Sequence, residues 1–142
     1  MNTLRGFFLV CLLCIAYGFN PLLADQSTSI KLEIERALGK GVKWLNQEQN
    51  ASSGHWGEAD YPALTALALR ATMGHPDPSL VKRYSSNQKK GFSFLLSNVQ
   101  SDGGIYGKGL ACYNTSICMM AFLQAKNPEY EEIIQTARRF LV

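Results

Sequence analysis

The sequence predicts an all-α protein assembled from helical repeats, and three observations carry that prediction. A motif occurs twice, with Gly41 and Gly91 marking equivalent positions 50 residues apart. The first copy reads Lys40-Gly41-Val42-Lys43-Trp44-Leu45, then Gln49, then Gly54-His55-Trp56-Gly57; the second reads Lys90-Gly91-Phe92-Ser93-Phe94-Leu95, then Gln100, then Gly104-Ile105-Tyr106-Gly107. Self-similarity at a period of about 20–50 residues is the mark of a repeat architecture. Around the two copies, apolar residues recur at helical spacing, and cap-plus-proline signals separate the segments.

Taken in order, a polar linker is expected at residues 25–29, followed by a helix from about Ser29. Ile30, Ile34, Leu38 and Leu45 give it a partial apolar stripe, with Trp44 alongside. Gly39 and Gly41 weaken it by about 1 kcal/mol each relative to alanine. Asn50-Ala51-Ser52-Ser53-Gly54 breaks the pattern and reads as a loop. A second helix follows Asp60 as N-cap, with Pro62 in its first turn and Leu64, Leu67, Ala68 and Ala71 as its apolar face. Met73-Gly74-His75-Pro76 ends it. Asp77-Pro78 opens a third helix, interrupted around Ser85-Ser86-Asn87 and continuing to Val99. Residues 101–109 contain four glycines and form a loop. The fourth helix, Tyr113 to Lys126, is apolar nearly all round, as a helix buried on most sides must be. Asn127-Pro128-Glu129 caps a fifth, which reaches Val142. Its Ala137-Arg138-Arg139-Phe140-Leu141 repeats the aromatic-Leu opening of the motif, so two repeats and the first helix of a third are expected. Because repeats are stabilised by their neighbours, the expectation is the N-terminal part of a longer repeat protein; the alternative is a chain that relies on self-association.

Composition narrows the function. With a net charge of +3, 46% hydrophobic residues and only isolated basic doublets, the chain lacks the footprint of a nucleic-acid binder. Residues 1–24 have the form of a secretory signal: Arg5, the apolar run Phe7 to Tyr17, and Leu22-Leu23-Ala24 before a cleavage expected ahead of Asp25. The expected location is therefore secreted or periplasmic, with membrane contact only if the leader is retained. Cys11 and Cys14 fall in the leader. Cys112 and Cys118 are six apart on one helix and do not face each other, so no disulfide scaffold is expected. Asn50-Ala51-Ser52 and Asn114-Thr115-Ser116 match the N-glycosylation pattern.

The repeated motif resembles the QW element of the squalene cyclase and protein prenyltransferase superfamily, roughly Lys/Arg-Gly-x-x-aromatic-aliphatic followed by Gln and Gly-x-Trp. Lys40, Gly41, Trp44, Leu45, Gln49, Gly54 and Trp56 match in the first copy, and Lys90, Gly91, Phe94, Leu95, Gln100, Gly104 and Tyr106 in the second. The resemblance covers most of residues 30–142 and implies a partial α/α toroid, with Tyr61–Met73 and Tyr113–Lys126 as helices of its inner ring. It also implies structural roles: Gly54 and Gly104 for sharp turns, Trp56 and Tyr106 as buried locks, and Gln49 and Gln100 for backbone groups at helix ends. Tyr61, Tyr113, Asn114 and Thr115, at the start of the inner helices, are the candidate cavity-lining residues.

The chemistry of that superfamily is missing from this segment. No Asp-x-Asp-Asp acid occurs. Cys112 has Leu110 where a zinc-binding aspartate would stand, and no histidine follows. His55 and His75 read as solvated loop histidines. No catalytic residue, metal or cofactor is assigned. The thioester segment of complement-like toroid proteins is absent too. The expected function is an exported, non-catalytic scaffold for an apolar ligand or protein partner. The alternative is part of an enzyme acting on an isoprenoid or other apolar substrate, with its catalytic residues in further repeats.

Overall fold

The computed structural model describes residues 21–142, with side chains from residue 27 onward. Among these the structure is all-helical: α1 (Pro21–Glu48), α2 (Pro62–Met73), α3 (Pro78–Arg83), α4 (Ser85–Ser97), α5 (Ala111–Ala125), a 3-10 turn (Pro128–Tyr130) and α6 (Glu131–Leu141). The sole extended pairing among the described residues is an isolated antiparallel bridge, Val99 to Ile105. The expected export signal lies outside the described residues up to position 20. No described helix is long and apolar enough to cross a membrane.

The chain divides into two units, Met1–Ala37 and Leu38–Val142. In the first, the residues expected as a linker, 25–29, are helical, and α1 begins at Pro21 rather than near Ser29. Proline suits a first helical position because its missing N–H is unneeded there. Ile30 and Ile34 are exposed, so the stripe expected on this helix meets no core at these positions.

In the second unit, burial on α1 begins at Val42. α2 lacks the expected Asp60 cap. Its N-cap position is Tyr61, without a side-chain bond, and the Asp60 carbonyl instead accepts from the N–H of Lys108 at 3.0 Å. The open donor at the start of α2 is met from another helix, by Asn114 Oδ1, 3.1 Å from the N–H of Ala63. Asp77 caps α3 as expected, accepting from Ser79 N–H at 2.8 Å. The expected interruption falls at Tyr84, which separates α3 from α4. Asn127 caps the 3-10 turn that leads into α6, accepting from Glu129 N–H at 3.2 Å.

α2 and α5 run side by side and parallel: Ala63 meets Asn114 at their starts, and Arg70 meets Gln124 at their ends. α4 packs on α2, and α6 on α5. Between them lies one core of Trp56, Leu69, Phe92, Leu95, Ile105 and Phe122 with small residues such as Ala66 and Ala137. Phe92, Phe122 and Tyr130 form its aromatic centre, with ring centroids 4.8 to 5.5 Å apart, a spacing that adds about 0.5–1.5 kcal/mol per pair beyond burial. Gly91 explains the close approach of α4 to α2: a Cβ there would sit 2.9 Å from both the Leu69 Cδ2 and the Trp56 ring. The equivalent Gly41 has no such neighbour.

Candidate functional site

The two glycine turns are built alike, but in a register the sequence comparison missed. In the first, the N–H of Asn50 donates to the His55 carbonyl and Gly54 N–H to the Asn50 carbonyl, both at 2.9 Å. In the second, Gln100 N–H donates to the Gly104 carbonyl at 2.8 Å and Gly103 N–H to the Gln100 carbonyl at 3.0 Å. Gly54 (φ +79°) therefore corresponds to Gly103 (φ +87°), not to Gly104. Both occupy the left-handed region that favours glycine. Trp56 N–H donates to Thr65 Oγ at 3.0 Å, and Ile105 N–H to Thr115 Oγ at 2.9 Å. The buried partner of Trp56 is thus Ile105. Tyr106, expected as the second buried lock, is half-buried, with its hydroxyl on Asp102 Oδ2 at 2.6 Å. Turn length is the reason: the left-handed glycine stands four positions after Asn50 in the first turn but three after Gln100 in the second, and this moves the aromatic to the rim.

The glutamines serve backbone groups, in different ways. Gln49 Nε2 donates to the Gly54 carbonyl (2.8 Å) and the Asn87 carbonyl (2.9 Å), while its Oε1 accepts from Asn87 Nδ2 (2.8 Å), tying the first turn to α4. Gln100 Nε2 donates within its own turn, to the Tyr106 and Asn98 carbonyls. The aromatic at the motif's fifth position packs on a turn in the later copies: Phe94 on His55 (5.2 Å), and Phe140 on Tyr106 (5.8 Å). Trp44 is 58% exposed.

The four candidate cavity-lining residues separate. Asn114 and Thr115 are fully buried. Asn114 accepts from Ala63 N–H and donates Nδ2 to the Gly109 and Leu110 carbonyls; Thr115 holds Ile105. Both are committed to packing, which also closes the Asn114 glycosylation pattern in the folded protein. Asn50, by contrast, is exposed in a turn where its Oδ1 accepts from Ser52 and Ser53. Tyr61 is half-buried, and Tyr113 is exposed.

Tyr113 belongs to the surface that stands out. α2 exposes Leu64 (40%) and Leu67 (41%), and α5 exposes Tyr113 (52%), Met120 (41%) and Leu123 (51%). Leu64, Leu67 and Ala71 follow helical i, i+3, i+7 spacing on one stripe of α2. Arg70 crosses the seam, with Nη1 3.8 Å from Met120 Sδ, so the stripes of the two parallel helices form one apolar face. An apolar face left in water marks a binding surface more often than a lone exposed leucine does. Leu110 (φ +48°), which precedes α5, is also exposed at that end. Beside Leu123 lies a hollow of about 530 Å³ between α5 and α6, reaching Phe122, Pro128 and Ile134. A second hollow, of about 470 Å³, lies between the second turn and α6, lined by Asp102, Glu132, Thr136 and Arg139 among others.

Among the described residues, four titratable groups are clearly shifted, and each shift has a local cause. Asp102 is held below the usual carboxylate range, first by the Tyr106 hydroxyl and then by Gly104 N–H, and the same bond raises Tyr106. Asp77 is lowered by its cap bonds to Ser79. Burial pushes the Cys118 thiol up to about 12, so it stays protonated. Cys112 is exposed. No group of three potential metal ligands occurs among the described residues. Comparison with known proteins finds no match to a family model, a curated protein or a solved structure.

Proposed function

We propose that this chain is an exported α/α-repeat scaffold that binds an apolar ligand on the face of α2 and α5. The observation that carries the reading is that face: Leu64, Leu67, Tyr113, Met120 and Leu123 stand in water on two parallel helices. The duplicated turns and the parallel α2 and α5 support an arrangement like the toroid of terpenoid cyclases and prenyltransferases. In that arrangement these two helices belong to the inner ring, and their exposed stripes look onto its cavity. Binding there is hydrophobic. Fully burying a leucine or methionine side chain contributes about 1.5–3 kcal/mol; these side chains are about half covered already, so the ligand's own buried apolar surface must supply much of the gain that offsets the cost of association.

Nile red, a neutral apolar dye, tests the face. The full chain is expected to raise its fluorescence, and Leu67→Glu combined with Met120→Glu to remove most of that gain while the helical circular dichroism persists. Both positions are exposed, so the charges enter without breaking the core. Equal dye binding by the double variant places any apolar site elsewhere. Export is read separately, from the N-terminal residue of protein released by cells that carry the native leader; Asp25 is expected.

A further inference from the structure

The face is apolar except at one point. Arg70 lies in the α2 stripe between Leu67 and Ala71 and is half-buried. Its Nε donates to Gln124 Oε1 at 3.2 Å, and Gln124 Nε2 donates back to the Arg70 carbonyl at 3.1 Å. This reciprocal pair fixes the guanidinium at the seam of the two helices. One Nη1 hydrogen is directed only at the weak acceptor Met120 Sδ, 3.8 Å away. A guanidinium has five donors, and among the described residues no carboxylate takes those that remain. The cation is thus held in place beside apolar side chains, with its free Nη donors open to solvent at the surface.

We infer that the ligand of this face is an amphiphile: an apolar chain with one anionic head, the head on the Arg70 fork and the chain along α2 and α5 toward Leu64 and Tyr113. This rests on the proposed apolar binding and names the ligand's class. The polarity runs one way because Arg70 and Gln124 sit at the C-terminal ends of the two helices, while Tyr113 and Leu64 sit near their N-terminal ends. Tyr113 to Gln124 spans about 16 Å at the helical rise of 1.5 Å per residue, room for a medium-length alkyl chain. A planar fork accepts a carboxylate or a phosphate through two parallel hydrogen bonds, so either head satisfies the same site.

Dodecanoate and dodecanol separate head from chain. Each is titrated into the full chain by calorimetry below its aggregation limit, with dodecyl phosphate as the second anion. Dodecanoate is expected to bind at least about tenfold tighter than dodecanol, as a charge-assisted bond to a fixed guanidinium allows. Arg70→Gln should erase most of that difference by weakening dodecanoate far more than dodecanol; Arg70→Lys should restore part of it. Arg70 is not in the core, and circular dichroism of each variant checks the fold. If dodecanoate and dodecanol bind equally to the unmodified chain, the anionic head is wrong and the apolar face stands. A dodecanoate preference that survives Arg70→Gln overturns Arg70 as its anchor. If neither binds, the apolar-ligand reading falls with the inference. A tighter grip on dodecyl phosphate than on dodecanoate assigns the head as phosphate within the same proposal.

Discussion

The Tyr106 hydroxyl on Asp102 shows how one displaced residue acquires a different task. Having left the core to Ile105, Tyr106 closes the second turn from outside, against Phe140 on one side and Asp102 on the other. A carboxyl lowered in the folded state stabilises the fold above its unfolded pKa, near 4, and that contribution is lost as pH falls through the lower folded value. Asp102 is exposed and Tyr106 half-buried at the rim, so the effect is local. Tyr106→Phe is expected to move the Asp102 midpoint up toward the ordinary carboxylate range, read by NMR titration of its carboxyl carbon; an unmoved midpoint would show that the turn's own N–H groups suffice. Little of this was legible in the sequence. Tyr106 matched the motif in spacing, but the left-handed glycine is Gly103, and which of two adjacent glycines takes φ near +87° depends on hydrogen bonds that a pattern does not display. Arg70 and Gln124 were equally silent, because an arginine in an amphipathic helix reads as a solvated residue until its neighbour on another helix is known.

At the scale of elements, the joint between α2 and α5 depends on polar side chains in an apolar interior. Asn114 is fully buried and makes three bonds: it accepts from Ala63 N–H and donates to two carbonyls before α5. A buried group that loses its partner costs about 1–3 kcal/mol. Asn114→Ala strands the Ala63 donor and the Gly109 acceptor, while the Leu110 carbonyl keeps the backbone N–H of residue 114, and is expected to destabilise the protein by about 3 kcal/mol in urea unfolding. Thr115→Val keeps shape and removes only the bond to Ile105 N–H, so about 1–2 kcal/mol is expected; a neutral result for both would mean that water reaches the joint. Much of the helix order was legible, since caps such as Asp77-Pro78 and Asn127-Pro128 act locally. The start of α2 was not. Asp60 stands where a local cap belongs, yet the donor is met from 51 residues downstream, beyond the reach of any local signal. The pair Thr65 and Thr115, 50 positions apart like the motif itself, was the available clue to the shared turn anchor.

At the scale of the whole molecule, stability is concentrated unevenly. The core residues of the second unit come from α2, α4, α5, α6 and the two turns, whereas side chains 27–38 of α1 are exposed all round. An isolated helix of that kind is marginal in water, because helices in proteins derive most of their stability from a packed apolar face. Removing residues 27–37 from a chain that begins at Ser27 is therefore expected to cost less than about 1 kcal/mol, which for a unit of this size shifts the thermal midpoint by no more than about 4–8 °C. The comparison is the melting curve of residues 27–142 against that of residues 38–142, followed by circular dichroism. Hydrogen exchange gives the same test within one molecule: amides of 27–38 should exchange through local fraying, far faster than those of α2 and α5, which should require opening of the core. A collapse of the fold on removing residues 27–37 would show that the apolar side chains Ile30 and Ile34 find a partner that their exposure here does not suggest. If the shorter chain holds, it also carries Leu67, Arg70, Met120 and Gln124 intact. The amphiphile titration can then be repeated on it, with binding expected to match that of the full chain.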